Sequence, residues 1–152
     1  MPTQQAQGRQ PKILLTPFWI IAATFIGLGD TLYLSYYQWL GLMPDCAIGG
    51  CEIVLNSVYS KFMGIPLSYI GLVFYIYMLA LAVLLAYDPF GKGTRFATLA
   101  YTFVGLLFSI GFELVQVFVI HALCMYCAIS AATTLLLFGL AVWHWRSTRA
   151  QA

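Results

Sequence analysis

Charge is what this chain has least of. Asp, Glu, Lys and Arg make up 8% of its 152 residues, and hydrophobic residues make up 62%. A soluble domain carries roughly 25% charged residues. So short a chain buries only part of its surface on folding, so the composition excludes a water-soluble single domain. The formal net charge of +2 gives no footing for a nucleic-acid partner, which needs clustered positive charge. No internal repeat and no low-complexity tract stands out, so a repeat array is not expected. The first apolar stretch lacks a small-x-small cleavage site and contains Asp30. It is also longer than the core of a secretory signal, so it is expected to remain as a helix of the mature protein.

What is present is apolar sequence in four long runs. They extend over residues 18–40, 66–87, 96–120 and 125–145. Each approaches the ~20 residues that carry a helix across ~30 Å of hydrocarbon. A helix satisfies its own backbone hydrogen bonds, so it can face lipid where irregular chain cannot. The expected fold is an all-α integral membrane domain over residues 1–152, a bundle of four transmembrane helices. Met1–Gln10 is polar and expected to be disordered, and Asp88–Thr94 is a Pro- and Gly-punctuated turn.

Orientation follows from the few cations. Arg9, Lys12, Lys92, Arg95, Arg146 and Arg149 fall at one set of helix ends, and Lys61 alone at the other. By the positive-inside rule both termini are expected in the cytoplasm. In a bacterium this is a multi-pass protein of the inner membrane, with the loop 41–65 and the turn at His121 facing the periplasm or exterior. Tyr36, Tyr37, Trp39, Trp143 and Trp145 lie where interfacial aromatics are expected.

The outer loop begins with Cys46 and Cys51, separated by a stretch that includes Gly49 and Gly50. The glycines predict a tight, mobile turn. Cys51, Leu55, Val58 and Phe62 recur at helical spacing. They predict a short interfacial half-helix, ended by Gly64 and Pro66, lying over the bundle as a lid. Cys124-Met-Tyr-Cys127 opens the fourth span. A thiol at a helix N-terminus meets the positive end of the dipole, which favours the reactive thiolate. All four cysteines fall near the outer side, where disulfides persist. Two pairs that approach each other can exchange a disulfide. The residues alone leave other readings open: two structural disulfides, a four-cysteine metal site, or isolated buried cysteines. No metal is expected, because only one pair has tight ligand spacing.

These features together resemble the bacterial branch of the vitamin K epoxide reductase family. The resemblance rests on the loop pair, Ser57 six residues after Cys51, the Gly64–Ser68 Gly-Ile-Pro-x-Ser segment, and C-x-x-C opening the fourth span. It covers nearly the whole chain from the first span to the fourth. It implies a four-helix bundle around a quinone (ubiquinone, menaquinone or phylloquinone). It also implies electrons passing from a thioredoxin-fold, DsbA-like thiol oxidase to Cys46 and Cys51, then to Cys124 and Cys127, then to quinone, in support of disulfide formation. Cys127 is then nearest the quinone, with Ser57, Leu55 and Ala131 around it, and Cys46 is the loop cysteine expected to attack Cys124. Ala131 stands where vertebrate members carry a tyrosine, which speaks against vertebrate-type inhibitor binding. Some bacterial relatives continue into a fused thioredoxin-like domain; with the chain ending at Ala152, the partner is expected to be a separate protein.

Ionisable residues inside a membrane are functional candidates. Asp30 and Glu113 qualify, and Glu113, Val117, His121 and Cys124 share a face if the third helix continues that far. Glu113, His121 and Asp30 are therefore candidates for a proton route. Gly27, Gly29, Gly105 and Gly111 are expected to allow close helix packing. Thr133 and Thr134 are expected to bond back to their own helix. Two rivals remain: a non-catalytic membrane scaffold held by two disulfides, and a DsbB-type quinone reductase, whose family carries its C-x-x-C in the first outer loop. Sidedness is directly testable. In a cysteine-free background, an impermeant reagent should label a cysteine at position 48 from outside and one at position 92 only from inside. The reverse pattern would overturn the compartment and the redox argument with it.

Overall fold

The computed structural model describes residues 11–47 and 49–150. The expected disorder of Met1–Gln10 and the labelling position at Ile48 lie outside the described residues; Met63, exposed on the hairpin described below, serves for the same experiment. Among the described residues, four helices are long and apolar enough to cross a membrane: α1 (Pro11–Trp39), α3 (Leu67–Tyr87), α4 (Lys92–Val115) and α5 (Met125–Arg149). Among them α1 packs on α3 and α5, and α4 on α5 and, more thinly, on α3. The result is the expected all-α membrane bundle, a closed ring of four antiparallel spans.

α1 begins seven residues before the expected start at Phe18, with Pro17 inside it. The reason is the apolar stripe. Ile13, Thr16, Ile20, Thr24, Thr31 and Ser35 are all buried at three- and four-residue steps or their sums, so the packing face continues upstream of the proline. Small hydroxyl residues on this stripe do not leave orphan donors. Thr24 donates to the Ile20 carbonyl at 2.7 Å and Thr31 to Gly27 at 2.9 Å. Thr133 and Thr134 likewise donate to Ile129 and Ser130 at 2.8 and 2.9 Å, as expected.

Ile20, Tyr75, Met78, Leu85 and Leu137 form the main core. The Tyr75 hydroxyl lies 3.0 Å from the Ser130 carbonyl and 3.2 Å from the Thr134 hydroxyl, joining α3 to α5. Of the four glycines expected at helix contacts, Gly27 abuts the Tyr75 ring and Gly105 the Phe74 ring; Gly29 and Gly111 face open space. Only the first two fit the close-packing expectation.

The lid differs from its expected form. Its helix, α2, is only Cys51–Asn56, and it buries Cys51 and Val54. Val58 and Phe62, expected on the same stripe, are exposed. The Ser57 backbone is extended, which ends the helix, and a single 3₁₀ turn follows at Val58–Ser60. A small antiparallel hairpin then pairs β1 (Lys61–Phe62) with β2 (Ile65–Pro66). Its turn puts Met63 and Gly64 at positive φ, 53° and 86°.

The outer end of the third span also departs from the expected straight helix. α4 passes into a π-helical turn at Gln116–Ile120, and His121 adopts the left-handed conformation with φ 56°. Residues 121–124 are irregular before α5 starts at Met125. Glu113, Val117, His121 and Cys124 therefore do not share one continuous helical face.

Candidate redox site

Two cysteine pairs meet under the lid. Cys51, Val54 and Cys124 are fully buried in one cluster, with Cys46 and Cys127 packed against it. Gly50 makes this contact possible. It is buried against the Leu123 carbonyl, where any Cβ would collide with backbone. The expectation of a mobile Gly49–Gly50 turn is thus replaced at Gly50 by a close backbone approach, which sets Cys51 beside Cys124. Cys46 and Cys51 are joined by a disulfide, and Cys124 and Cys127 are free thiols.

Tyr126, between the C-x-x-C cysteines, holds the other end of the loop. Its hydroxyl donates to the Asp45 carbonyl at 2.9 Å, and its ring packs on Tyr33 with centroids 5.4 Å apart.

Below the cluster lies a cavity of about 350 Å³, within the range of small-molecule sites. Of the four cysteines only Cys127 lines it. Leu55 and Ala131, expected to bind the cofactor, line it too, as do Asp30 and Glu113. Phe74, Tyr101, Phe108 and Phe112 give it flat apolar walls. One carboxylate oxygen of Asp30 is buried without a hydrogen-bond partner. Such a site fits a planar, largely apolar ring with polar atoms at its edge, as a quinone has.

Two expected residues fall elsewhere. Ser57 does not line the cavity; its hydroxyl donates to the Val54 carbonyl at 2.7 Å and closes the end of α2. Ser60 and Ser68 line the cavity in its place, and the Ser68 hydroxyl bonds Gln38. His121 is exposed on the outer turn and is not part of the lining. Gln116 was not singled out in the sequence. It is completely buried, and its side-chain carbonyl accepts the Cys124 backbone N–H at 2.9 Å. The signal was available, since a glutamine in an apolar span raises the same question as Glu113.

Cys124 stands at the N-cap of α5. Its thiol is brought down to about 7, first by the hydrogen bond with the Cys127 thiol and then by the backbone N–H groups of Cys127 and Tyr126, against the opposing effect of burial. Below that pH the sulfur is protonated and a poor nucleophile; above it the thiolate dominates. With the loop cysteines replaced by alanine and the C-x-x-C reduced, thiolate absorbance should therefore rise with a midpoint near pH 7. Adding Cys127→Ala removes the largest stabilising contact, so the midpoint should move up towards the ordinary thiol value. An unmoved midpoint would show that the Cys127 contact does not set the state of Cys124.

The sequence pattern of the vitamin K epoxide reductase family matches residues 18–142. The thiol-disulfide oxidoreductase LTO1 of Arabidopsis thaliana is 36% identical over 121 residues, which are 74% of this chain and 32% of that protein. The chain thus spans about a third of the length of this curated relative. With the match running from α1 into α5 and the four cysteines gathered at one end of the bundle, the chain belongs to the vitamin K epoxide reductase family.

Proposed function

We propose that this protein is a membrane thiol–quinone oxidoreductase. It takes electrons from a thioredoxin-fold, DsbA-like partner on the outer side of the membrane and supports disulfide formation there. One observation carries the reading: Cys51 is buried against Cys124, while Cys127 alone of the four cysteines lines the cavity. The four sulfurs form a path from the loop to the cavity.

The burial pattern supports exchanging two roles implied by the family resemblance. Cys46 is only partly buried and Cys51 completely so. A partner thiolate attacks Cys46 and releases Cys51; the partner's second thiol then resolves the mixed disulfide and leaves with the new bond. The Cys51 thiolate attacks Cys124 in the oxidised C-x-x-C and releases Cys127. Cys46 then closes on Cys51 and frees Cys124. This leaves a loop disulfide and a reduced C-x-x-C, the pairing the structure holds. Two electrons and two protons then remain to leave through the cavity.

When bound, a quinone supplies a two-electron, two-proton acceptor. Cys127 would contact it, the aromatic walls would hold its ring, and Leu55 and Ala131 would border it. Asp30 on α1 and Glu113 on α4 are the carboxyls within the lining, and they would supply its protons. His121, exposed outside the cavity, takes no part. Proton transfer by a positioned group contributes about 100-fold or more. Asp30→Asn should lower quinone-coupled turnover by about that factor while leaving the exchange between cysteine pairs in place, and Glu113→Gln should lower quinone-coupled turnover by at least as much. Full turnover in both variants would remove the carboxyls from the reaction.

The scaffold rival has the same disulfide but no electron flow. Cys51→Ala separates them. A small dithiol reaches the C-x-x-C directly, so quinone reduction with that donor should persist. Turnover with a folded thioredoxin-like donor should be abolished, because such a donor cannot enter the buried cluster. Equal loss with both donors would sink the shuttle; quinone reduction by neither donor in the unaltered protein would favour the scaffold.

A further inference from the structure

Gln116 is an expensive residue where it stands. A buried amide without partners is destabilising by several kcal/mol in an apolar medium, and Gln116 is 0% exposed within an apolar span. Its polar groups are all engaged across one short turn. The side-chain carbonyl accepts the Cys124 backbone N–H at 2.9 Å. The side-chain amide donates to Glu113 Oε1 at 3.5 Å. The main-chain carbonyl accepts the N–H of Ala122 at 3.2 Å and that of His121. π-Helical turns interrupt α-helices most often at functional sites, and this one brings a side chain from α4 to the residue that caps α5.

The two ends of the amide agree on its orientation. An N–H needs an acceptor, so the carbonyl oxygen faces Cys124; the NH₂ group then faces a carboxyl, which accepts. Glu113 thereby fixes which way round the amide sits. With its own N–H anchored, Cys124 cannot swing out of the cap. Its sulfur stays over the first turn of α5, within reach of the N–H groups of Tyr126 and Cys127, and the residue stays packed in the buried cluster with Cys51.

We propose that Gln116 is the positioning residue of the C-x-x-C: it holds Cys124 at the N-cap of α5 through the backbone amide and is itself oriented by Glu113. The inference deepens the redox reading and rests on Cys124 being the cysteine that meets Cys51. It assigns Gln116 no contact with the quinone or the partner.

The test titrates Cys124 in the full-length chain with Cys46 and Cys51 replaced by alanine and the C-x-x-C reduced. Ionisable groups around the thiol remain in place in every variant: Asp30 from α1, Glu113 from α4, and Cys127 and Tyr126 from α5. Thiolate absorbance is followed from about pH 5 to about pH 9, with Cys124→Ala as the blank. Gln116→Leu removes the anchor, and Gln116→Asn keeps a polar amide but shortens its reach by one methylene. In either folded variant the midpoint should rise by about one pH unit, a roughly tenfold loss of thiolate on the acid side. A midpoint that stays put in a folded variant overturns the proposal. Should neither variant fold, the unaltered chain decides. Its Cys124 amide must be strongly protected from hydrogen exchange, and free exchange there overturns the proposal equally. Neither measurement involves quinone or partner, so a failed turnover assay in the unaltered protein would count against the redox reading alone.

Discussion

The hydrogen bond from the Cys124 backbone to the Gln116 side chain is the point on which the site depends. The chain must turn between α4 and α5 near the edge of the hydrocarbon region, and turning exposes backbone donors and acceptors. In a bilayer, irregular backbone is tolerated only where protein or a water-lined cavity satisfies it. Here the π-helical turn supplies a carbonyl, and the glutamine supplies both a carbonyl and an amide. The same residues that allow the turn fix where the first cysteine of the motif stands. Turn geometry and thiol chemistry are therefore one problem with one solution.

Because of that turn, the two cysteines of C-Met-Tyr-C have different surroundings despite being one helical turn apart. Cys124 lies in the buried cluster with Cys51, stabilised as a thiolate by N–H groups and by its neighbour's thiol. Cys127 lies one turn deeper and lines the cavity. Such asymmetry is what a relay requires. The sulfur attacked by the loop and the sulfur facing an apolar acceptor must differ, or electrons would have no preferred direction. A purely structural disulfide gains nothing from it.

How much of this was legible in the sequence depends on which physical signal carried it. The four spans were legible because apolar runs of membrane length have few alternative explanations, and the two cysteine pairs were legible from their spacing along the chain. Span ends were less so. The first apolar run is expected from Phe18, yet the buried stripe through Ile13 and Thr16 extends α1 upstream past Pro17. The lid was misjudged for a similar reason. Cys51, Leu55, Val58 and Phe62 have helical spacing, but periodicity does not register that Ser57 adopts extended backbone and stops α2 after six residues. Once the helix ends there, Val58 and Phe62 lose the face on which they were expected, and the Ser57 hydroxyl caps α2. His121 failed through the same kind of event. Its left-handed backbone breaks the helical register that linked it to Glu113. Leu55, Ala131, Asp30 and Glu113 line the cavity, and each sits inside helix rather than in the irregular segments.

The close approach of Gly50 to Leu123 adds a constraint on how the lid works. A loop that carried electrons by wide excursion would have no need for backbone packed so tightly that a Cβ cannot fit. The contact argues instead that Cys51 stays docked at Cys124 and that movement is concentrated on the Cys46 side. Tyr126 bears on that side through its bond to the Asp45 carbonyl, immediately before Cys46. Its ring also lines the cavity. A shift of that ring on cavity filling would pull directly on the peptide preceding Cys46, so Cys46 and the cavity are joined by a single side chain.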